Sequence, residues 1–148
     1  GWDFVHVAID DATRLAYAEV LPDERRASAA GFLVRAVRWY RAQGVGVERV
    51  MSDNGSAYVS KLFARTVRRL GLRHIRTRPY TPKTNGKAER FIQTSLREWA
   101  YANAYDTSAA RTKAMSAFLT RYNTARPHTA LDRQTPWARL NNLLGNDS

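Results

Sequence analysis

The sequence predicts an α/β domain, and three observations carry that expectation. A strand, a helix and a second strand follow one another between Val47 and Thr77, which makes a parallel crossover of the kind that is almost always right-handed. Two short apolar runs at the start of the chain are joined too tightly for anything but an antiparallel hairpin. Helical spacing of apolar residues then recurs in the stretches between and after these strands.

Taken in order, Phe4 to Ile9 is an apolar strand, and Asp10-Asp11-Ala12-Thr13-Arg14 supplies turn residues before a second strand from Leu15 to Leu21. Adjacent acids in a tight turn usually bond nearby backbone amides, so Asp10 and Asp11 are read as structural. From Asp23 to Gln43, Ala29, Phe32, Leu33, Ala36, Val37 and Tyr40 recur at helical spacing, with Arg25, Arg35, Arg38 and Arg41 in the polar intervals and Gly44 as the stop. Val47 to Ser52 reads as a short buried strand that stops at Asp53-Asn54-Gly55-Ser56. Ser56 is expected to cap the next helix, whose buried stripe is Val59, Leu62, Phe63, Val67 and Leu70 and whose stop is Gly71. Leu72 to Thr77 is the returning strand. A loop rich in Pro, Asn and Gly, from Arg78 to Gly86, leads into a long helix reaching about Ala102, on which Glu89 sits at the boundary between apolar and polar faces. Asp106-Thr107-Ser108 can cap a final helix carrying Ala114, Phe118, Leu119 and Tyr122, before a tail from Arg126 to Leu144.

The 148 residues suit one domain, here residues 1–148, with 44% hydrophobic and 25% charged residues, ordinary for a globular protein. No apolar run approaches the roughly 18 to 20 residues of a membrane span, so a soluble intracellular protein with no membrane partner is expected. There is no cysteine, which removes disulfides and Cys-ligated zinc. The informative quantity is charge: 24 Lys and Arg against 13 Asp and Glu give +11. That balance favours a polyanion, because each neutralised phosphate releases counterions.

Asp53 ends a strand, and Glu89 begins the helix that follows the partner strand. A strand-helix-strand passage returns the chain to the sheet edge it left, so the two acids are expected to converge where ligands of open α/β sheets collect. Carboxylate oxygens are hard donors suited to Mg²⁺ or Mn²⁺, and phosphodiester chemistry uses such ions. A bimetallic site normally needs a third acid. Arg76, Arg78, Lys83, Lys87 and Arg90 crowd the loop and helix start as candidate phosphate contacts, and Tyr80 offers a ring for an unpaired base. The three histidines, His6, His74 and His128, are widely separated and lack metal-ligand spacing.

Asp53-Asn54-Gly55-Ser56, followed by Pro79-Tyr80-Thr81-Pro82-Lys83-Thr84-Asn85-Gly86-Lys87-Ala88-Glu89-Arg90-Phe91, resembles the catalytic core of retroviral integrases and, more closely, the DDE transposases of bacterial insertion sequences. Tyr122-Asn123, Arg126-Pro127-His128, Leu131 and Thr135-Pro136 resemble the tail of the bacterial branch. The resemblance implies a ribonuclease H-like fold, a divalent-metal site and metal-dependent nicking and strand transfer of element ends into target DNA in a bacterial cytoplasm. It makes Asp53 the second acid of the motif and Glu89 the third. The first acid belongs to a central strand that precedes the hairpin in the family, and the sequence begins after it, as it does after the family's upstream DNA-reading domain. The chain alone is therefore expected to be nearly inactive, with the sheet gap closed by local rearrangement or by strand exchange in a homodimer. Two other functions remain open at this point: a non-catalytic DNA-binding or assembly module, and a ribonuclease H-like nuclease acting on another substrate.

Overall fold

The computed structural model describes residues 4–76 and 108–125. The Pro-rich loop, the long helix expected to follow it and the tail beyond residue 125 lie outside the described residues. The described elements are β1 (Phe4–Ile9), β2 (Ala16–Leu21), α1 (Arg26–Ala42), β3 (Arg49–Ser52), α2 (Lys61–Arg69), β4 (Arg73–Arg76) and α3 (Ser108–Ala125). β1 pairs with β2, β3 pairs with β4, and no described strand hydrogen-bonds to both pairs. Among the described residues no helix is long and apolar enough to cross a membrane.

The described residues fall into two compact units, one holding residues 4–6 and 21–76, the other residues 7–20 and 108–125. In the first unit α1 runs as its apolar spacing predicts, burying Ala29, Ala30, Leu33, Ala36, Val37 and Tyr40. Its stop, Gly44, has φ 89°, and Gly71 after α2 has φ 71°, conformations that a side chain at either position would strain. Ala29, Leu33 and Val37 pack with Ala57, Phe63, Val67 and Leu72, and Val47, Val50, Tyr58 and Leu70 close the margin of this core. Phe63, 2% exposed, lies at its centre, and its burial alone contributes about 1.5–3 kcal/mol. The Arg41 guanidinium donates to the Leu70 carbonyl (3.0 Å), tying the end of α1 to the end of α2.

The crossover β3–α2–β4 gives the parallel pair that the sequence predicts, in the register Arg49↔Arg73, Val50↔His74, Met51↔Ile75, Ser52↔Arg76. Three local expectations need correction. The helix is capped by Ser60, not Ser56: its side chain accepts from the Phe63 N–H, while the Gly55 carbonyl takes the N–H groups of Tyr58 and Val59 in a preceding turn. Val59 falls in that turn and is 47% exposed, so it is not part of the buried stripe. β3 is buried on one face only, because Val50 and Ser52 turn inward while Arg49 and Met51 face out.

The second unit is organised by a side chain that mimics a strand. Asn123 on α3, 2% exposed, accepts from the Ala16 N–H and donates to the Ala16 carbonyl, both at 2.9 Å. An edge position on β2 thereby gains the two bonds that a neighbouring strand would supply. Met115, Phe118 and Tyr122 bury the apolar side of the same helix. The connection of β1 to β2, residues 10–15, is far too short for a parallel crossover, so the pair is an antiparallel hairpin. The Asp10 carboxylate accepts from the Thr13 N–H (3.1 Å) and hydroxyl (2.7 Å), which is the structural role expected of it.

Candidate active site

β3 ends at Ser52, and the last register pair joins Ser52 to Arg76, so Asp53 leaves the sheet at the edge where β4 also ends. This is the carboxyl edge of a parallel pair, where α/β sheets collect ligands. Asp53 is exposed, and its Oδ1 accepts from the Gly55 N–H at 2.8 Å, which fixes the carboxylate over its own turn. The turn leaves little room for a side chain at Gly55. A Cβ there would stand 3.0 Å from Asp53 Oδ1 and 3.4 Å from the Tyr58 ring. Tyr58 is half-buried with its ring edge-on to Phe63, centroids 5.3 Å apart. Burial, and after it the negative charges of Asp53 and Glu24, hold the Tyr58 phenol above its ordinary pKa, so it stays a neutral donor at physiological pH.

On the inward side, buried Ser52 donates its hydroxyl proton to the Asp53 main-chain carbonyl (2.9 Å), and the same oxygen lies 2.7 Å from Nε2 of His74. The His74 ring packs on Phe63 at 5.0 Å between centroids. Burial, and then the Arg76 charge, push the His74 pKa below the ordinary imidazole value. His74 is therefore a neutral group at physiological pH, with its ring against the core. Arg76 itself is exposed at the end of β4.

Of the residues that the sequence nominates, Asp53 and Arg76 lie at one end of the parallel pair. Glu89, Arg78, Tyr80, Lys83, Lys87 and Arg90 lie outside the described residues, as does His128. Among the described residues no three His, Cys, Asp or Glu side chains are grouped to hold a metal ion. Asp53 nonetheless offers what Mg²⁺ or Mn²⁺ prefers: an exposed hard-oxygen donor with its orientation fixed from one side. Ser52, Tyr58 and His74 were not singled out as site residues from the sequence. Their signal was there in part, since a polar residue at an inward strand position, as at Ser52 and His74, asks for a partner.

Two overlapping family models, both described as integrase core domain, match residues 1–82 and 70–136. The chain belongs to the integrase core family. Among its relatives is the transposase for insertion sequence element IS904 of Lactococcus lactis, 33% identical over 88 residues that cover 59% of this chain and 35% of the relative. This integrase core spans less than half the length of the curated relatives it matches first. A chain of the simian T-cell lymphotropic virus intasome, solved in complex with the PP2A regulatory subunit B56 gamma, superposes with TM-score 0.76 and 25% identity over 93% of this chain and 48% of that one. The catalytic core domain of BIV integrase superposes with TM-score 0.75 and 23% identity over 97% of this chain and 88% of its own. The fold of the integrase core is therefore the ribonuclease H-like α/β class that its motifs imply.

Proposed function

We propose that this integrase core carries the catalytic site of an insertion-sequence type transposase, with DNA as substrate and Asp53 and Glu89 as the ligands of Mg²⁺ or Mn²⁺. The observation that carries the proposal is the Asp53 turn: an exposed carboxylate, oriented by the Gly55 N–H, at the carboxyl edge of a parallel strand pair. When bound, the divalent ion supplies Lewis-acid stabilisation of the reacting phosphate and activates the attacking oxygen. The protein's part is positional. Asp53 presents its oxygen in a single orientation, Gly55 keeps the turn tight enough for it, and Tyr58 wedges the turn against the core through Phe63. Arg76, together with Arg78, Lys83, Lys87 and Arg90, would neutralise phosphates beside it, and Tyr80 would stack an unpaired base. The reaction is then nicking at an element end, followed by in-line attack of the freed 3′ hydroxyl on target DNA.

Titration of Mn²⁺ into the protein with nuclear resonance detection tests the assignment. Paramagnetic broadening is expected first at Asp53 and Glu89. A response that is uniform over the surface, or centred elsewhere, rejects both ligands and favours a non-catalytic DNA-binding module, for which salt-sensitive DNA binding without a metal requirement is expected.

A further inference from the structure

We infer that Ser52 and His74 form a latch that sets the orientation of Asp53, with His74 a positioning residue of the site. The inference deepens the proposed function and rests on Asp53 being its functional carboxylate.

β3 ends at Ser52, and Asp53 is the first residue past it. Its backbone is held there by a side chain, through the bond from the Ser52 hydroxyl to the Asp53 carbonyl. The carboxylate is held separately by the Gly55 N–H. Asp53 is thus gripped at two points, one on its main chain and one on its side chain.

The hydrogen atoms then fix the role of His74. A serine hydroxyl carries one proton, and the Ser52 hydroxyl stands within reach of two groups, the Asp53 carbonyl at 2.9 Å and His74 Nε2 at 2.7 Å. With that proton on the Asp53 carbonyl, the 2.7 Å contact between Ser52 Oγ and His74 Nε2 is a bond donated by an Nε2–H, and this is the tautomer the latch assigns to His74. The opposite tautomer, bare at Nε2, would draw the hydroxyl proton toward the ring and release the Asp53 carbonyl. Because Oγ cannot donate to both, His74 decides which way the hydroxyl points. The imidazole is itself anchored: it stands on β4, and its ring rests on Phe63 at the centre of the core. A chain of contacts accordingly runs from the core through His74 and Ser52 to the residue that would bind metal. Groups that orient a metal ligand typically change affinity by about tenfold or more when removed.

The test uses the 148-residue chain, first without metal and then with Mn²⁺. Nitrogen-15 shifts of His74 are expected to report the Nε2–H form. His74→Gln places an amide N–H near the same point and is expected to keep the Asp53 amide and carboxylate resonances, and the Mn²⁺ affinity, close to those of the parent. His74→Leu keeps an apolar contact to Phe63 but has no donor. It is expected to move the Asp53 resonances and weaken Mn²⁺ binding by about tenfold, while the amide spectrum of α1 and α2 stays folded. Ser52→Ala should give the same change and serves if His74→Leu does not fold. An Nδ1–H tautomer, equal behaviour of the Gln and Leu variants, or a Ser52→Ala chain with parental Asp53 resonances would each overturn the latch. If the parent chain shows no Mn²⁺ response at Asp53, yet its metal-free Asp53 resonances still separate the Gln from the Leu variant, the metal assignment fails and the latch stands.

Discussion

Asp10 and Asp53 each follow the last residue of a strand and each open a turn, but their surroundings use them differently. Asp10 directs one carboxylate oxygen to both the backbone and the hydroxyl of Thr13, and Thr13 in turn accepts from the Leu15 N–H, so the acid is built into the hairpin. Its turn also holds Arg14 at φ 64°, a conformation that costs a residue with a side chain about 1 kcal/mol. The Asp53 carboxylate accepts from the Gly55 N–H, two residues on, and remains exposed. The two turns differ in the group that closes over the acid: at Asp10 it is the Thr13 backbone and hydroxyl, three positions on, and at Asp53 it is the Gly55 N–H. At the matching position after Asp53 stands Ser56, and the hydroxyl that serves this turn instead comes from Ser52, on the strand side, to the main chain.

The largest contrast is expected in chemistry. In a transposase that contains this core, Asp53→Asn should abolish metal-dependent strand transfer, whereas Asp10→Asn should leave it near the parental level once the protein is folded; a gel assay of joined products reads both. Loss of activity in the Asp10 variant at parental stability would erase the distinction between the two turns.

Stability supplies the next contrast, this time between the two units. Asn123→Leu leaves the Ala16 N–H and carbonyl buried without partners, and urea unfolding should show a loss of about 3 kcal/mol. A loss well under 1 kcal/mol would mean that water or a rearranged strand replaces the clamp.

A smaller, pH-dependent effect belongs to the first unit. The folded His74 has a depressed pKa, so as pH falls the unfolded chain takes up that proton first. The contribution is intact above the ordinary imidazole value of about 6.5 and is lost as pH drops through it toward the folded value. The unfolding midpoint should therefore fall between neutral and mildly acidic pH, and His74→Gln should flatten that part of the profile. An unchanged slope in the variant would assign the pH effect elsewhere.

The smallest effect is expected at Arg76. Arg76→Gln should lower the slope of DNA affinity against salt by about one counterion, without altering Mn²⁺ broadening at Asp53. An unchanged salt slope would remove Arg76 from the phosphate contacts.

Much of the fold was legible because its signals are local. The limits of β1 match the apolar run from Phe4 to Ile9, and α1 follows a stripe that needed only 3.6-residue spacing to see. The cap of α2 was misplaced at Ser56 because two serines precede the helix. Only the bonds from Tyr58 and Val59 to the Gly55 carbonyl show that a turn intervenes and makes Ser60 the cap. On α3 the apolar stripe drew attention to Phe118 and Tyr122, while Asn123, polar and next in sequence, proved as buried as they are. Its partner is Ala16, more than a hundred residues away, and no local pattern encodes that distance.

By itself the sequence determined the α/β class, the parallel crossover and the hairpin. These follow from residue spacing and turn chemistry, which act between neighbours along the chain. Only the tertiary structure decided that Ser52 and His74 meet beside Asp53 and that Asn123 completes the ladder of Ala16. Both are hydrogen bonds between distant segments, and their geometry exists only after strand register and helix packing have placed donor against acceptor.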